Sequence, residues 1–558
     1  MRSREESIRE AQGRSFDICV IGGGASGAGS ALDAQLRGLR TVLVEAGDFG
    51  SATSSASTKL AHGGLRYLEQ AVREIDASEY RVLKLALRER ALMLDNAPYL
   101  TRTQQFLTVC DTALDLGYYA LGLRLYDRVA SSARLAPSRV LSRRRALERI
   151  PTLTPERLAG AVAYADGQFD DARFNLALVA TFVDAGGVAL NYARVTAFER
   201  DPDGRLSEAE VEEAISGRRF PVRARAFLNA TGPWADRVRE LASPGSVPRL
   251  RLSRGVHIVL PAETLDSATA LLIPRTEDGR VLFAIPWMGR VLVGTTETET
   301  GLPGDRLLTP ADIDYLLRHL NRHLVHPVVP GQIVSGFAGV RPLLRGSSRR
   351  ETKRLPRDYV VERDPASGLV SLLGGKWTTY RAMAETAIDV VQTYLGGSVR
   401  TCTTAHRRLA GSEGYAPNDS ATLARRFGLT EACALHLDRK YGSRAQDVLH
   451  LVREDPELGV PLVAGLAPLR AEVVFAARCE MALTIEDVLA RRIGLQYYGW
   501  QEAISAGPTV ARILGKELGW SEPDSRKAMD DYAAGIQAFM ARAGLDGGRS
   551  AQGPALHP

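Results

Sequence analysis

Two blocks of apolar residues near the start of the chain show no alternation. FDICVIGGG (16–24) is rich in Val and Ile and ends in glycine, and RTVLVEAGD (40–48) repeats the block and ends at Glu45. A short uninterrupted apolar run reads as a strand buried on both faces, as in a parallel sheet. Between them ASGAGSALDAQLRG (25–38) is small and Ala-rich, closes on Gly38, and is expected to be helical. Further along, VRARAFLNATGPW (222–234) is a strand running into a turn at Thr231–Gly232. LVSLLGGKWTTYRAMAETAIDVV (369–391) is a strand, a double glycine and a long helix. RVLFAIPW and RVLVGTT lie between these blocks and read as strands of a different sheet. From about residue 410 the pattern turns helical. Thr484 stands as the N-cap of TIEDVLARR, and SEPDSRKAMDDYAAGIQAFMARAG has helical spacing and a glycine stop. The expectation is an α/β fold with a Rossmann-like parallel sheet, an antiparallel sheet and an all-helical C-terminal domain.

Composition sets bounds on this picture. A chain of 558 residues is too long for one hydrophobic core. The five cysteines are few, odd in number and widely spaced, so neither a disulfide framework nor a zinc motif is expected, and the metal set is read as none. The polar start MRSREESIREAQGRS has no apolar core, which excludes a secretory signal. No apolar run reaches membrane-spanning length. A formal charge of +6 favours anionic partners, either a substrate or a membrane face. No nucleic-acid partner is expected.

Gly22, Gly24 and Gly27 form GxGxxG between strand and helix. The first glycine makes the tight turn, the second lets a pyrophosphate approach the backbone, and the third lets helix and strand pack closely. Phosphates would lie at the helix N-terminus, where free N–H groups and the macrodipole favour negative charge. Glu45 stands where a carboxylate holds a ribose hydroxyl. After Glu45 an NAD-binding domain continues with further βα units. This chain instead runs into SATSSASTKLAHGGLRYLE (51–69), which suits a flavin. Thr53, Ser54 and Ser57 offer short hydroxyls to pyrophosphate and ribitol. Lys59, His62 and Leu65 flank the same stretch. The Gly63–Gly64 backbone can lie against a flat ring where a side chain would clash. Thr231, Gly232 and Gly375 return the chain to the cofactor. A helix N-terminus and Lys376 after Gly375 would stabilise negative charge on a reduced flavin. No second GxGxxG follows a strand, which argues for a substrate that reduces the flavin directly.

ATSSASTKLAHGGLRYLE, NATGPW, RGVHIVLP, FAIPW, VGTT, GVRPLL and GGKWTTYR occur in this order and together closely resemble the FAD-dependent, respiratory-type glycerol-3-phosphate dehydrogenases. The resemblance runs from about residue 15 to about residue 540. It implies a two-dinucleotide-binding-type FAD domain and noncovalent FAD, with His62 unlinked to it. The flavin-binding parts would fall at 15–75, 155–240 and 335–400, and the substrate-domain part at 240–335, all within 15–400. A helical C-terminal domain would span 410–545, and a disordered tail 546–558. It further implies oxidation of sn-glycerol 3-phosphate to dihydroxyacetone phosphate, with the C2 hydride passing to flavin N5 and electrons to a membrane quinone. The enzyme would be cytoplasmic and peripheral on the inner face of the cell membrane. An oxygen-using glycerol-3-phosphate oxidase, or a flavin oxidase of another small acid or amine, is the alternative, and a homodimer is left open.

A glycerol phosphate needs cations for its dianionic end and a base for its secondary alcohol. Arg66, Tyr67, Arg357 and Lys376 lie in stretches that match the family's substrate-binding motifs. Arg341 in GFAGVRPLL and His257 in SRGVHIVLP are the expected catalytic pair, with the division of roles between them open. Arginine suits phosphate through its planar fork, and imidazole titrates near neutrality. Relatives show GTTD where this chain has GTTE, so Glu297 is left outside the expected site. The segment 117–150 mixes Tyr118, Leu121, Leu125 and Val129 with arginines that include Arg143, Arg144 and Arg145, and reads as a monotopic contact with anionic lipid.

Overall fold

The computed structural model describes residues 4–63, 77–130, 133, 135–301, 303–345, 359–417 and 420–545. The expected tail, 546–558, lies outside the described residues.

The first sheet is built as the apolar blocks predict. Ser15–Ile21 pairs in parallel with Thr41–Val44 on one side and with Arg219–Asn229 on the other. Val188–Leu190 and Val370–Gly374 extend it in parallel at its two ends. Tyr359–Arg363 closes one edge antiparallel, and Ala193–Arg200 with Leu206–Glu213 forms an antiparallel ribbon against Arg219–Asn229. The helix Ala25–Leu36 packs across this sheet against Tyr380–Leu395. A Cβ on Gly29 would stand 2.8 Å from the Tyr380 ring, so a glycine is what lets the two helices meet.

The second sheet departs from the sequence reading in extent. Its centre is Leu250–Pro261, flanked by Arg290–Gly294 and by Ser335–Leu344, both antiparallel. Leu282–Trp287 and Ala270–Ile273 continue it. It then takes in Thr101–Cys110, Gly160–Phe169, Arg139–Ser142 and Leu60–Ala61. The sheet is therefore not confined to 240–335, and the 155–240 and 335–400 parts each give it a strand. The reason is physical. Gly160–Phe169 is buried at every position, so its pattern matches that of a parallel strand, although its partners are antiparallel.

Helices from Ser420–Phe427 to Glu522–Arg542 make up the C-terminal part. Ser521 and Asp524 form a capping box, and Thr484 Oγ1 accepts from the Asp487 backbone as the N-cap reading expects. This part shares one core with the second sheet: Val256, Ile258 and Val293 belong to the same apolar cluster as Leu489, Trp500 and Leu514.

Candidate active site

The glycine motif is held as its roles require. Gly22 has φ +108°, and a Cβ there would lie 2.6 Å from the Ala230 carbonyl oxygen. A Cβ on Gly27 would come 1.7 Å from the Gly22 oxygen, so strand and helix touch backbone to backbone. Gly24 is the N-cap of Ala25–Leu36 and offers no side chain, and the first turn carries no acid. Ser54 Oγ accepts from Ala25 N at 3.0 Å, one of the N-terminal donors that have no partner within the helix. Glu45 accepts from Gly23 N at 2.6 Å and Gly47 N at 2.8 Å. Burial raises its pKa, and those two bonds oppose the rise. The Thr231–Gly232 turn closes beside Gly22, with Thr231 Oγ1 bonded to Asn229. These residues fit a dinucleotide: a bare helix N-terminus, backbone exposed by glycine, and an acid at the end of the second strand.

The segment 53–63 threads between the two sheets. Thr53 Oγ1 donates to the Val340 carbonyl (2.6 Å), and Trp377 Nε1 donates to the Ser54 carbonyl (2.8 Å). Both the Arg341 strand and the double-glycine turn therefore grip it. Gly63 N donates to the Tyr126 hydroxyl, and a Cβ at Gly63 would stand 2.7 Å from Leu87 and from that hydroxyl, so only glycine fits. His62 N donates to Thr378 Oγ1. Burial lowers the His62 pKa, with Lys376 and Arg90 adding to the effect and Asp166 opposing it. Gly375 has φ +92°, and a Cβ would meet Met383 Cε at 2.1 Å. Lys376 follows it in extended conformation, half-buried, at the head of the turn into Tyr380–Leu395.

The side chains of two expected cofactor residues, Lys59 and Ser57, have partners inside the protein. The Lys59 side chain is 1% exposed. Its ammonium donates to Asp171 Oδ1 (2.5 Å) and the Ser55 carbonyl (2.7 Å). Ser57 Oγ donates to Asp171 Oδ2 and accepts from Lys59 N. Both side chains are turned into the protein, where a buried charge requires partners, and they brace the loop. The rest of the cation also lies among rings: its Nζ is 4.7 Å from the Tyr497 centroid, 5.0 Å from Phe337 and 5.4 Å from Trp287.

The structure places His257 and Arg341 on one face of the second sheet. In register, His257 stands opposite Phe337, Gly255 opposite Gly339 and Ser253 opposite Arg341. The glycines clear this face. A Cβ on Gly294 would lie 2.1 Å from the imidazole, one on Gly255 2.3 Å from the guanidinium, and one on Gly339 2.9 Å from Ala56 in the hydroxyl loop. His257 stacks on Phe337 at 4.9 Å. Its Nε2 is 3.0 Å from Thr58 Oγ1, and its Nδ1 is buried without a partner among the described residues. Burial pushes its pKa well below the usual imidazole value, and Arg341 and Lys59 add to that, so the ring is neutral. Arg341 donates to Thr295 Oγ1 (2.9 Å) and the Thr296 carbonyl (3.3 Å). Burial lowers its pKa, and the Glu297 carboxylate opposes this. Glu297, left out of the sequence reading, is thus within electrostatic reach of Arg341. Gly64, Leu65, Arg66, Tyr67 and Arg357 lie outside the described residues.

Asp171, Thr58, Trp377 and Tyr497 were missed in the sequence. Tyr497 carried a weak signal in the aromatic run YYGW within a helical region. Asp171 sits beside the helix cap Asp170 and reads as part of it.

Residues 17–381 match the family described as FAD dependent oxidoreductase, and residues 402–525 the C-terminal domain of alpha-glycerophosphate oxidase. The mitochondrial glycerol-3-phosphate dehydrogenase of Mus musculus is 38% identical over 537 residues, covering 93% of this chain and 74% of the relative. The chain belongs to the FAD-dependent glycerol-3-phosphate dehydrogenase family. The Arabidopsis thaliana member is 36% identical, covering 96% of this chain and 89% of its own length. A solved glycerol-3-phosphate dehydrogenase from Bacillus halodurans, complexed with FAD, superimposes with TM-score 0.79 at 28% identity, over 98% of this chain and 99% of its own. An L-alpha-glycerophosphate oxidase from Mycoplasma pneumoniae shares the fold at TM-score 0.53 and 18% identity. The family's cofactor agrees with the glycine motif, the Glu45 loop and the segment 53–63.

Proposed function

We propose that this chain oxidises sn-glycerol 3-phosphate to dihydroxyacetone phosphate. The observation that carries the reading is the His257 imidazole and the Arg341 guanidinium on one glycine-cleared sheet face, with Thr58 of the hydroxyl loop 3.0 Å from His257 Nε2. FAD, when bound, supplies the two-electron acceptor for the C2 hydride. Gly22, Gly24, Gly27, Glu45 and the Ser54 loop would hold its dinucleotide end, and the Gly63 and Gly375 backbone would serve its ring. Arg341 offers its fork to the phosphate or to the C2 oxygen as negative charge develops there. His257 Nε2 takes the C2 hydroxyl proton in exchange for its bond to Thr58. Lys376 would add a cation to the anion site, and Arg66, Tyr67 and Arg357 are assigned to it on their motif positions alone. Arg341 beside an uncharged imidazole favours a phosphate-bearing alcohol over an amine.

The cofactor and substrate readings share one test. Acid precipitation is expected to release the flavin into the supernatant, and anaerobic glycerol 3-phosphate to bleach its visible absorbance. Flavin left in the pellet would overturn noncovalent binding. Bleaching by an amino acid or lactate, and not by glycerol phosphate, would overturn the substrate.

The electron acceptor is read as a quinone, reached from a membrane surface. The helix Ala113–Ala130 turns Leu123, Tyr126 and Ala130 inward and packs Leu125 and Val129 against the Leu83–Leu87 cluster. Leu114 (87% exposed), Tyr118 and Leu121 (62%) face solvent beside exposed Arg124 and Arg128. An exposed apolar stripe with arginines on its flank fits an anionic lipid surface. The Arg143–Arg145 run fits less well, since Arg143 Nε donates to the Leu158 carbonyl and Arg144 pairs with Glu148. Among the described residues no helix is long and apolar enough to cross a membrane. Leu114→Asp with Leu121→Asp removes two side chains, each worth about 1.5–3 kcal/mol when fully buried. The pair is expected to weaken binding to phosphatidylglycerol vesicles by at least about tenfold and to lower quinone-linked turnover. Dye-linked turnover should stay normal. Unchanged vesicle binding would remove this helix as the contact. Steady peroxide formation without quinone would favour the oxidase.

A further inference from the structure

We propose that Tyr497, contributed by the helical C-terminal part, is a positioning residue that holds the His257 imidazole in place and keeps water from it. The proposal rests on the reading of His257 as the proton acceptor. Tyr497 stands 240 positions along the chain from His257. Its segment is nonetheless sewn to the active-site strand. Ser335 Oγ donates to the Gln496 carbonyl (2.7 Å), Trp500 N donates to the Val334 carbonyl (3.1 Å), and Arg290 Nη2 pairs with Glu502 (3.1 Å). The Tyr497 hydroxyl lies 2.9 Å from Ser55 Oγ in the hydroxyl loop. Its ring meets Phe337 edge to face at 5.0 Å, and Phe337 is the ring on which His257 stacks. Its face also closes the cage around the Lys59 ammonium at 4.7 Å.

Three fixtures therefore converge on one side chain: the loop that carries Thr58, the ring under the imidazole, and the buried cation behind it. The groups facing His257 from each packed element are few. Thr58 and Lys59 come from the loop, with Lys59 paired to Asp171 on the helix Asp171–Asp184. Phe337 and Arg341 come from one neighbouring strand and Gly294 from the other, while Glu297 acts on Arg341. Tyr497 holds two of these, Phe337 and Lys59. Removing its ring loosens Phe337 and admits water to the imidazole. Both the desolvation and the two cations that hold the ring neutral are then weakened, so the folded value moves up toward 6.5.

The test compares Tyr497→Phe, Tyr497→Leu and Tyr497→Ala as FAD-loaded enzymes, with His257→Asn as reference. Tyr497→Phe keeps ring and cage, and is expected to stay within about threefold of wild type. Tyr497→Ala is expected to lose at least about tenfold in kcat with KM changed less than threefold, and to move the acid limb of kcat to higher pH. A second readout needs no turnover: carbethoxylation of His257, followed by peptide mass, should be several times faster in the alanine variant, because the wild-type residue is 1% exposed. If Tyr497→Ala fails to load flavin, Tyr497→Leu carries the same expectations. Wild-type kcat, acid limb and carbethoxylation rate in a folded alanine or leucine variant would overturn the proposal. A change in KM alone would overturn it too, by making Tyr497 a substrate contact. Full turnover in His257→Asn would remove the underlying reading, whereas an inactive His257→Asn beside an unaffected Tyr497→Ala removes only the positioning role.

Discussion

Arg341→Ala is expected to lower kcat/KM for glycerol 3-phosphate by about 30-fold to several thousand-fold. Truncating one partner of a buried, charge-assisted contact costs roughly 2–5 kcal/mol, and each 1.4 kcal/mol is a factor of ten. The geometry supports that range over the value of an exposed ion pair. In the described structure the Arg341 hydrogen bonds go to a hydroxyl and a carbonyl, and Glu297 acts on it through charge. Each of those bonds uses one N–H of a terminal nitrogen and leaves the other for an incoming anion, and Gly255 beneath it gives the guanidinium room that no other side chain would leave. Arg341→Lys should recover little, because an ammonium cannot form the paired bonds of a fork. Thermal unfolding separates catalysis from folding: the loss of the Thr295 and Thr296 bonds costs on the order of 1 kcal/mol each. A fall of less than threefold in a folded variant would return Arg341 to a structural role.

The second large effect is on stability and flavin retention. Asp48 lies three residues beyond Glu45, and its carboxylate is wholly buried. It accepts from Arg491 Nε (2.5 Å), Arg492 Nη2 (2.9 Å) and Asn191 Nδ2 (3.1 Å), so two arginines of the C-terminal part fasten the loop that Glu45 organises. Removing one partner of such a pair leaves a buried charge poorly compensated, and Arg492→Met is expected to cost about 3–5 kcal/mol. Urea unfolding with excess FAD measures this, and the flavin content after gel filtration should fall with it. Asp48→Asn together with Arg492→Met should recover part of the loss, because the orphaned charge is gone. A single variant within 1 kcal/mol of wild type by unfolding would refute the clamp. The sign with pH is fixed. Burial acts to raise the Asp48 pKa, but Arg492 and Arg491 outweigh it, so the folded value lies below the usual carboxylate range. A depressed carboxylate contributes stability above its unfolded pKa and loses it as pH falls through the folded value. Asp487, which shares Arg491, is shifted up by burial and by Asp48, and acts in the opposite sense. The acid limb of stability should therefore be shallower in the double variant than in wild type.

The parallel sheet was legible because its strands are dense apolar blocks that end on glycine, a pattern few other elements produce. Gly22 and Gly27 could be read for the same reason, since each marks a place where backbone meets backbone, whereas the space that Gly63 leaves is taken by Leu87 and the Tyr126 hydroxyl. The antiparallel sheet was only half visible. TRTQQFLTVC (101–110) carries polar residues at its start, and nothing local says that it pairs with Gly160–Phe169 along ten residues. The inward turn of the Lys59 and Ser57 side chains was not legible, because motif position cannot tell a side chain that faces a ligand from one that braces the loop behind it. The partner that settles the matter, Asp171, is 112 positions away. Glu297 and Tyr497 matter through electrostatics and ring packing across the fold, which leave no trace in local spacing.

The pairing order also has a consequence for how the enzyme is made. Ser335–Leu344 zips along Leu250–Pro261 over ten residues, and Val370–Gly374 completes the parallel sheet beside Asn229. A nascent chain that has exposed the glycine motif therefore still lacks a wall of its flavin cleft. The Trp377 clamp on Ser54 arrives later again, and the Arg491–Arg492 fastening of the Glu45 loop last of all. The flavin-binding region is therefore complete only when the C-terminal helices are present, and a chain cut short before Arg491 is expected to retain less flavin than the full chain.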